Sequence, residues 1–214
     1  MTRAELKAAA KEQIKGNIGK LLLVIVIIFA IGFACGFIPF IGSIITFIIT
    51  PALSLGVYKI YLKLTKKEGF TIGDMFSGFN QTGRALWLNI LIVVFTWLWS
   101  LLFVIPGIVK SFAYSMAYLV LADNPEFTAR EALNKSKEIM NGHKWDLFVL
   151  YLSFFWWYLL ISITFGLAAI YVVPYINATI VNFYNSIKGY PSRDKVDAGT
   201  EVEIGAETEP IAEA

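Results

Sequence analysis

The 214 residues include one cysteine, Cys35, and one histidine, His143. A single thiol excludes an intramolecular disulfide, and a single imidazole excludes a multi-His metal site. Charge is scarce too: 16% of residues are charged, and 18 basic against 16 acidic side chains leave a formal +2. That balance is too weak to hold a nucleic acid. No phosphate loop stands out and no nucleophile is paired with a base, so neither enzyme activity nor a cofactor is expected.

What is abundant is apolar. Hydrophobic residues make up 57% and aromatics 15%, with 17 Phe, 10 Tyr and 6 Trp, and the mean hydropathy is +0.64. This exceeds the apolar share of ordinary soluble domains and suits a surface that meets lipid tails and headgroups. Lys20 before an apolar run invites comparison with a secretory signal, but the run and its leader are too long. Gly32-Phe33-Ala34-Cys35 fits a lipoprotein processing site poorly because of its Phe.

A bilayer core of ~30 Å needs about 20 apolar residues in a helix, since unpaired backbone groups are prohibitively costly in hydrocarbon. Residues 21–38 and 41–58 qualify, joined by a tight turn from Gly36 to Gly42 around Pro39. Residues 85–105 form a third run that stops at Pro106-Gly107, and 108–122 a short fourth that contains Lys110. Leu147 to Ile187 holds no charge at all; as one helix it would be ~60 Å long, so it must fold back. A turn at Thr164-Phe165-Gly166 gives a fifth span at 147–163 and a sixth at 167–187, kinked at Pro174. The expected fold class is therefore all-α, a polytopic membrane protein with six transmembrane helices as three hairpins.

Seventeen of the 18 basic residues flank these spans on one side, Lys110 being the exception. By the positive-inside rule that side, with both termini, is cytoplasmic. Each hairpin is preceded by a Thr-x-x-acid helix start: Thr2 to Glu5, Thr71 to Asp74 and Thr128 to Glu131. Setting Thr2 on Thr128 also matches Glu5 with Glu131, Lys11 with Lys137, Glu12 with Glu138, Gly16 with Gly142 and Leu21 with Leu147. Ala132, Leu133, Ile139 and Met140 share one helical face, as do Leu6, Ala10, Ile14 and Ile18. The reading is three units, each an interfacial amphipathic helix followed by a hairpin, the helices resting on the inner leaflet with their lysines near anionic lipid headgroups. Residues 1–188 make the membrane domain. Residues 189–214, with five Glu after Ala198 and no aromatic there, are expected to form a disordered acidic tail.

Lys110 is the sharpest local feature, because a lysine within a span marks a ligand site unless it snorkels to the headgroups. With Tyr114 one turn further on, it is a candidate contact for an anionic headgroup or substrate. Asn177, Asn182 and Asn185 of the sixth span either line a polar cavity with Ser162 and Thr164 or bond between helices, the commoner use. Asp123-Asn124-Pro125 reads as the turn that ends the fourth span, and His143 with Asp146 as an interface turn.

The run Tyr118-Leu119-Val120-Leu121-Ala122-Asp123-Asn124-Pro125, followed by Glu131-Ala132-Leu133, Ser136-Lys137, Gly142-His143-Lys144 and Leu147-Phe148, carries a resemblance. Leu152-Ser153-Phe154, Thr164-Phe165-Gly166, Pro174-Tyr175 and Phe183-Tyr184 extend it. Over residues 1–188 the chain resembles a bacterial family of integral membrane proteins, the domain of unknown function 975 family. The resemblance implies a bacterial plasma-membrane location and brings no activity, ligand or catalytic residue.

Two functions fit. One is a non-enzymatic component that binds or transports a lipid-like or amphipathic small molecule, favoured because transporter folds are built from repeats and broken helices. The alternative is a membrane scaffold or accessory subunit whose helices and acidic tail recruit a cytoplasmic partner. Expected partners are the lipid bilayer and its anionic headgroups, with a second copy or another membrane protein as the protein partners such a surface accepts.

Overall fold

The computed structural model describes residues 2–38, 40–102 and 104–189. Pro39 and the expected acidic tail from residue 190 lie outside the described residues. Every described element is helical: α1 (Arg3–Ile14), α2 (Ile18–Gly36), α3 (Ile41–Thr65), a 3₁₀ segment (Ile72–Gln81), α4 (Thr82–Leu102), α5 (Val104–Tyr114), α6 (Ala117–Asp123), α7 (Ala129–Ile139), α8 (Lys144–Leu152), α9 (Phe155–Ile163) and α10 (Ala169–Ile187). Four stretches are long and apolar enough to cross a membrane: Ile18–Gly36, Ile41–Thr65, Ile72–Leu101 and Lys144–Ile163.

Two expected helices are interrupted. The fourth is divided into α5 and α6 at Ser115, whose Oγ donates to the Phe112 carbonyl at 2.7 Å. The fifth is divided into α8 and α9 at Ser153, whose Oγ donates to the Leu150 carbonyl at 2.5 Å. In both places a serine hydroxyl takes a carbonyl from the preceding turn, the local competition that loosens a helix interior. α5 also begins earlier than expected, so Pro106 falls in its first turn, where an amide would have no helical partner anyway.

All three Thr-x-x-acid starts form reciprocal capping boxes, at Thr2 with Glu5, Thr71 with Asp74 and Thr128 with Glu131. After α1 the backbone turns left-handed at Gly16 (φ +88°), and after α7 at Gly142 (φ +81°). Glycine adopts that conformation without a Cβ penalty and so frees the next helix to leave at an angle. Burial follows the same register: Leu6, Ala10, Ile14 and Leu21 are buried in the first unit, as are Ala132, Ser136, Met140 and Leu147 in the third.

Successive helices pack on one another: α2 on α3, α4 on α5 and α6, and α9 on α10. The 3₁₀ segment packs on α3, α7 packs on α5 and α6, and α1 packs on α10. α7 also packs on α4, so each of the three capped segments covers helices other than the run that follows it. The apolar stripes expected to rest on a lipid leaflet are instead covered by protein, with Leu6 and Leu133 only 2% and 1% exposed. Amphipathicity tells which face is apolar, not what covers it.

Large apolar side chains that stay exposed lie on α2, the first half of α3, α4 and α9, among them Phe29, Phe33, Trp97 and Trp156. The third hairpin turns at Thr164-Phe165-Gly166 as expected, with φ +50° at Phe165 and +90° at Gly166. Helices meet closely within two hairpins: a Cβ at Gly42 would strike the Cys35 carbonyl, and one at Gly107 would strike Ser100. Small residues at such contacts let backbones approach.

Candidate functional site

On α3, Thr46, Thr50, Ser54 and Tyr58 recur every fourth residue, a spacing that keeps side chains on one slowly turning helical face. That face, with Cys35 of α2 and Asn177 of α10, lines a cavity of about 290 Å³. Its remaining walls are apolar, including Ile28, Ile31 and Ile49, and no charged side chain lines it. A smaller cavity of about 170 Å³ lies on the other side of Asn177, against Val24 and Val173. Asn177 lines both spaces.

The polar lining continues from Tyr58 to Tyr118 and Asn89. The Tyr58 ring stacks on Tyr118 with centroids 6.3 Å apart, and the Tyr118 hydroxyl bonds the Asn89 side chain at 3.1 Å. Partly buried polar groups of this kind are tolerated when paired. Sequence reading singled out Asn177 but missed the hydroxyl stripe, although its i, i+4 repetition was visible in residues 46–58.

The other expected residues sit elsewhere. The Lys110 ammonium lies 4.6 Å from the centre of the Trp99 ring, a cation–π contact at the α4–α5 hairpin. Tyr114 is turned inward, 3% exposed, and its ring carries the Lys137 ammonium at 5.5 Å. Burial, then the nearby charges of Lys110 and Arg130, hold the Lys137 ammonium below its usual pKa. Tyr114 also lines an open groove of about 520 Å³ between α4 and α5, together with Thr96, Ser100, Ser111 and Ser115. The structure therefore places Lys110 and Tyr114 beside one hairpin, and Asn177 in a different cavity.

Asn182 is not a free ligand group. It exchanges hydrogen bonds with Gln13 at 2.9 and 3.0 Å and reaches the Leu6 carbonyl at 3.4 Å, clasping α1 to α10. Asn185 bonds Thr65 at 3.0 Å. Ser162 and Thr164 bond carbonyls of their own helix, at Tyr158 and Leu160, and so do not join the cavity. His143 and Asp146 pair with each other at 3.1 Å. Among the described residues no three His, Cys, Asp or Glu side chains are grouped to hold a metal ion.

A second polar centre was not legible from the sequence. The Asp123 carboxylate at the end of α6 meets Lys188 at 2.8 Å, Lys66 at 3.8 Å and the Tyr184 hydroxyl at 3.2 Å. It joins the C-terminal ends of α3, α6 and α10. Asp123 had read only as part of a turn because its partners come from other units.

A family model described as "Protein of unknown function (DUF975)" matches residues 1–111 and residues 101–190. No curated protein and no solved structure matches the chain.

Proposed function

We propose, from the premise that the chain belongs to the DUF975 family of proteins of unknown function, that it crosses a bacterial plasma membrane six times with both termini cytoplasmic. In this reading it binds or transports a lipid-like or amphipathic small molecule without catalysing its chemistry. α5 with α6 serves as the fourth span and α10 as the sixth. The one-sided distribution of basic residues supports that orientation. α10 is the most polar of the long helices, and the pairing of Asn182 and Asn185 within the protein supports its crossing of hydrocarbon.

The cavity between α2, α3 and α10 carries the functional reading. Its apolar walls suit a hydrocarbon chain, while Thr46, Thr50, Ser54 and Asn177 offer hydrogen bonds to an uncharged hydroxyl, ester or amide. Its volume suits one chain or a small head better than a bulky ligand.

Native mass spectrometry of protein released from lipid nanodiscs tests this. A discrete molecule retained by wild type and lost from Asn177→Leu and Thr50→Val supports the cavity as the site. Loss in Lys110→Met alone would move the site to the α4–α5 groove. Heterogeneous bulk lipid in every variant, with a protein partner retained, would favour the scaffold reading.

A further inference from the structure

The face of α3 beyond Tyr58 changes character. Lys59, Lys63 and Lys66 border a pocket of about 360 Å³ closed by the 3₁₀ segment, which contributes Asp74 and Ser77, and by Asp123 and Pro125 after α6. Two of the three lysines are matched: Lys63 pairs with Asp74 at 3.0 Å, and Lys66 with Asp123 at 3.8 Å. Lys59, half-buried, has neither ion pair nor hydrogen bond among the described residues, and the Ser77 hydroxyl has no partner there either. Around the pocket, Lys59, Lys63, Lys66, Lys188 and Arg84 outnumber Glu68, Asp74 and Asp123, with Arg84 held by the Pro125 carbonyl and Lys188 by Asp123.

A partly desolvated ammonium with unfilled donors is unfavourable unless an anion reaches it. The geometry points to a binding site for a phosphate-bearing anion, with the Lys59 ammonium and the Ser77 hydroxyl as its direct donors. Lys63 and Lys66 add positive field from the same helix face at spacings of three and four residues. Lysine binds phosphate as a point charge, and a serine hydroxyl adds direction. The phosphate comes either from a lipid headgroup or from a soluble phosphate compound. Only the lipid source depends on the membrane orientation proposed above, and neither depends on the uncharged cavity between α2, α3 and α10.

The test uses the full-length protein in two preparations. In phosphatidylcholine nanodiscs it is titrated with inorganic phosphate against chloride at equal ionic strength, with thermal stability as the readout. In nanodiscs doped with phosphatidic acid, retained lipid is counted by native mass spectrometry. Wild type binds in at least one preparation; Lys59→Met weakens that binding by roughly tenfold or more, as loss of a charge-assisted hydrogen bond does, and Lys59→Arg restores it. Lys15→Met, at a residue that does not line the pocket, leaves it unchanged. Binding of inorganic phosphate identifies a soluble ligand, and enrichment of phosphatidic acid alone identifies a headgroup. No binding in either preparation overturns the site, as does wild-type binding by Lys59→Met. Should Lys59→Met fail to fold, Ser77→Ala decides: reduced binding supports the site and unchanged binding overturns it.

Discussion

The Asp123 carboxylate sits 2.8 Å from the Lys188 ammonium, 65 positions further along the chain. The carboxylate is 15% exposed and also accepts from the Tyr184 hydroxyl. An amide in its place removes the charge that faces the Lys188 and Lys66 ammoniums and leaves a single acceptor oxygen for the Lys188 ammonium and the buried Tyr184 hydroxyl. Asp123→Asn should lower stability by about 1–3 kcal/mol, read as an earlier unfolding transition in detergent. Lys66→Ala should shift it by no more than about 1 kcal/mol, since an exposed and longer pair contributes little. Equal effects from the two variants would refute the central role of Asp123.

The Gln13–Asn182 pair gives a second, separable measurement. Asn182→Leu strands the Gln13 amide and should destabilise by about 1–3 kcal/mol. In the double variant with Gln13→Leu nothing is stranded, so the two losses should add to less than their sum, with a coupling of roughly 0.5–1.7 kcal/mol. Strict additivity would mean that the clasp between α1 and α10 is incidental.

These contacts mark where sequence reading succeeded and where it stopped. The uncharged runs that became α2 and α4 were legible because hydropathy acts locally, and so were the capping boxes, whose partners lie three residues apart. The turn at Phe165-Gly166 followed from length alone. The interruptions at Ser115 and Ser153 were not legible, because serine inside a helix usually bonds without breaking it. The burial of α1 and α7 against protein depended on α10, α5 and α6, whose neighbourhood no local pattern encodes. Of the candidate residues, Asn177 reached a cavity and Asn182 became a clasp, a difference of position on α10 rather than of chemistry.

Close approach between the 3₁₀ segment and α3 supplies a third prediction. A Cβ at Gly78 would overlap the Ala52 carbonyl, and one at Gly56 the Met75 carbonyl, whereas one at Gly69 meets open space. Backbone cannot move aside as a side-chain tip can. Gly78→Ala and Gly56→Ala should each destabilise by about 1–3 kcal/mol, and Gly69→Ala by a few tenths at most. Chemical denaturation of the three variants decides it, and an unperturbed Gly78→Ala would show that the segments separate readily.

The third capping box predicts a pH response. Glu131 is exposed, and the Thr128 amide, then its hydroxyl, hold the carboxyl below its usual pKa of 4.5. A carboxyl depressed in the folded state stabilises at pH above the unfolded value and loses that contribution as pH falls through the folded one. Hydrogen-exchange protection of the first amides of α7 should therefore decline on acidification below about pH 4.5, and Glu131→Gln should flatten that decline. Identical profiles for wild type and variant would separate the cap from the acid response.

The packing of α1 on α10 has a consequence for how the molecule is made and altered. Gln13 and Asn182 are 169 positions apart, so the main packing partner of α1 is not available until nearly all of the chain between them has been made. The third unit completes the site that the first has been waiting for. Because the 3₁₀ segment packs on α3, α7 on α6 and α1 on α10, removing any one of α3, α6 or α10 uncovers the apolar stripe of the segment packed on it. Such a chain tolerates change within a unit far better than a change in the number of units.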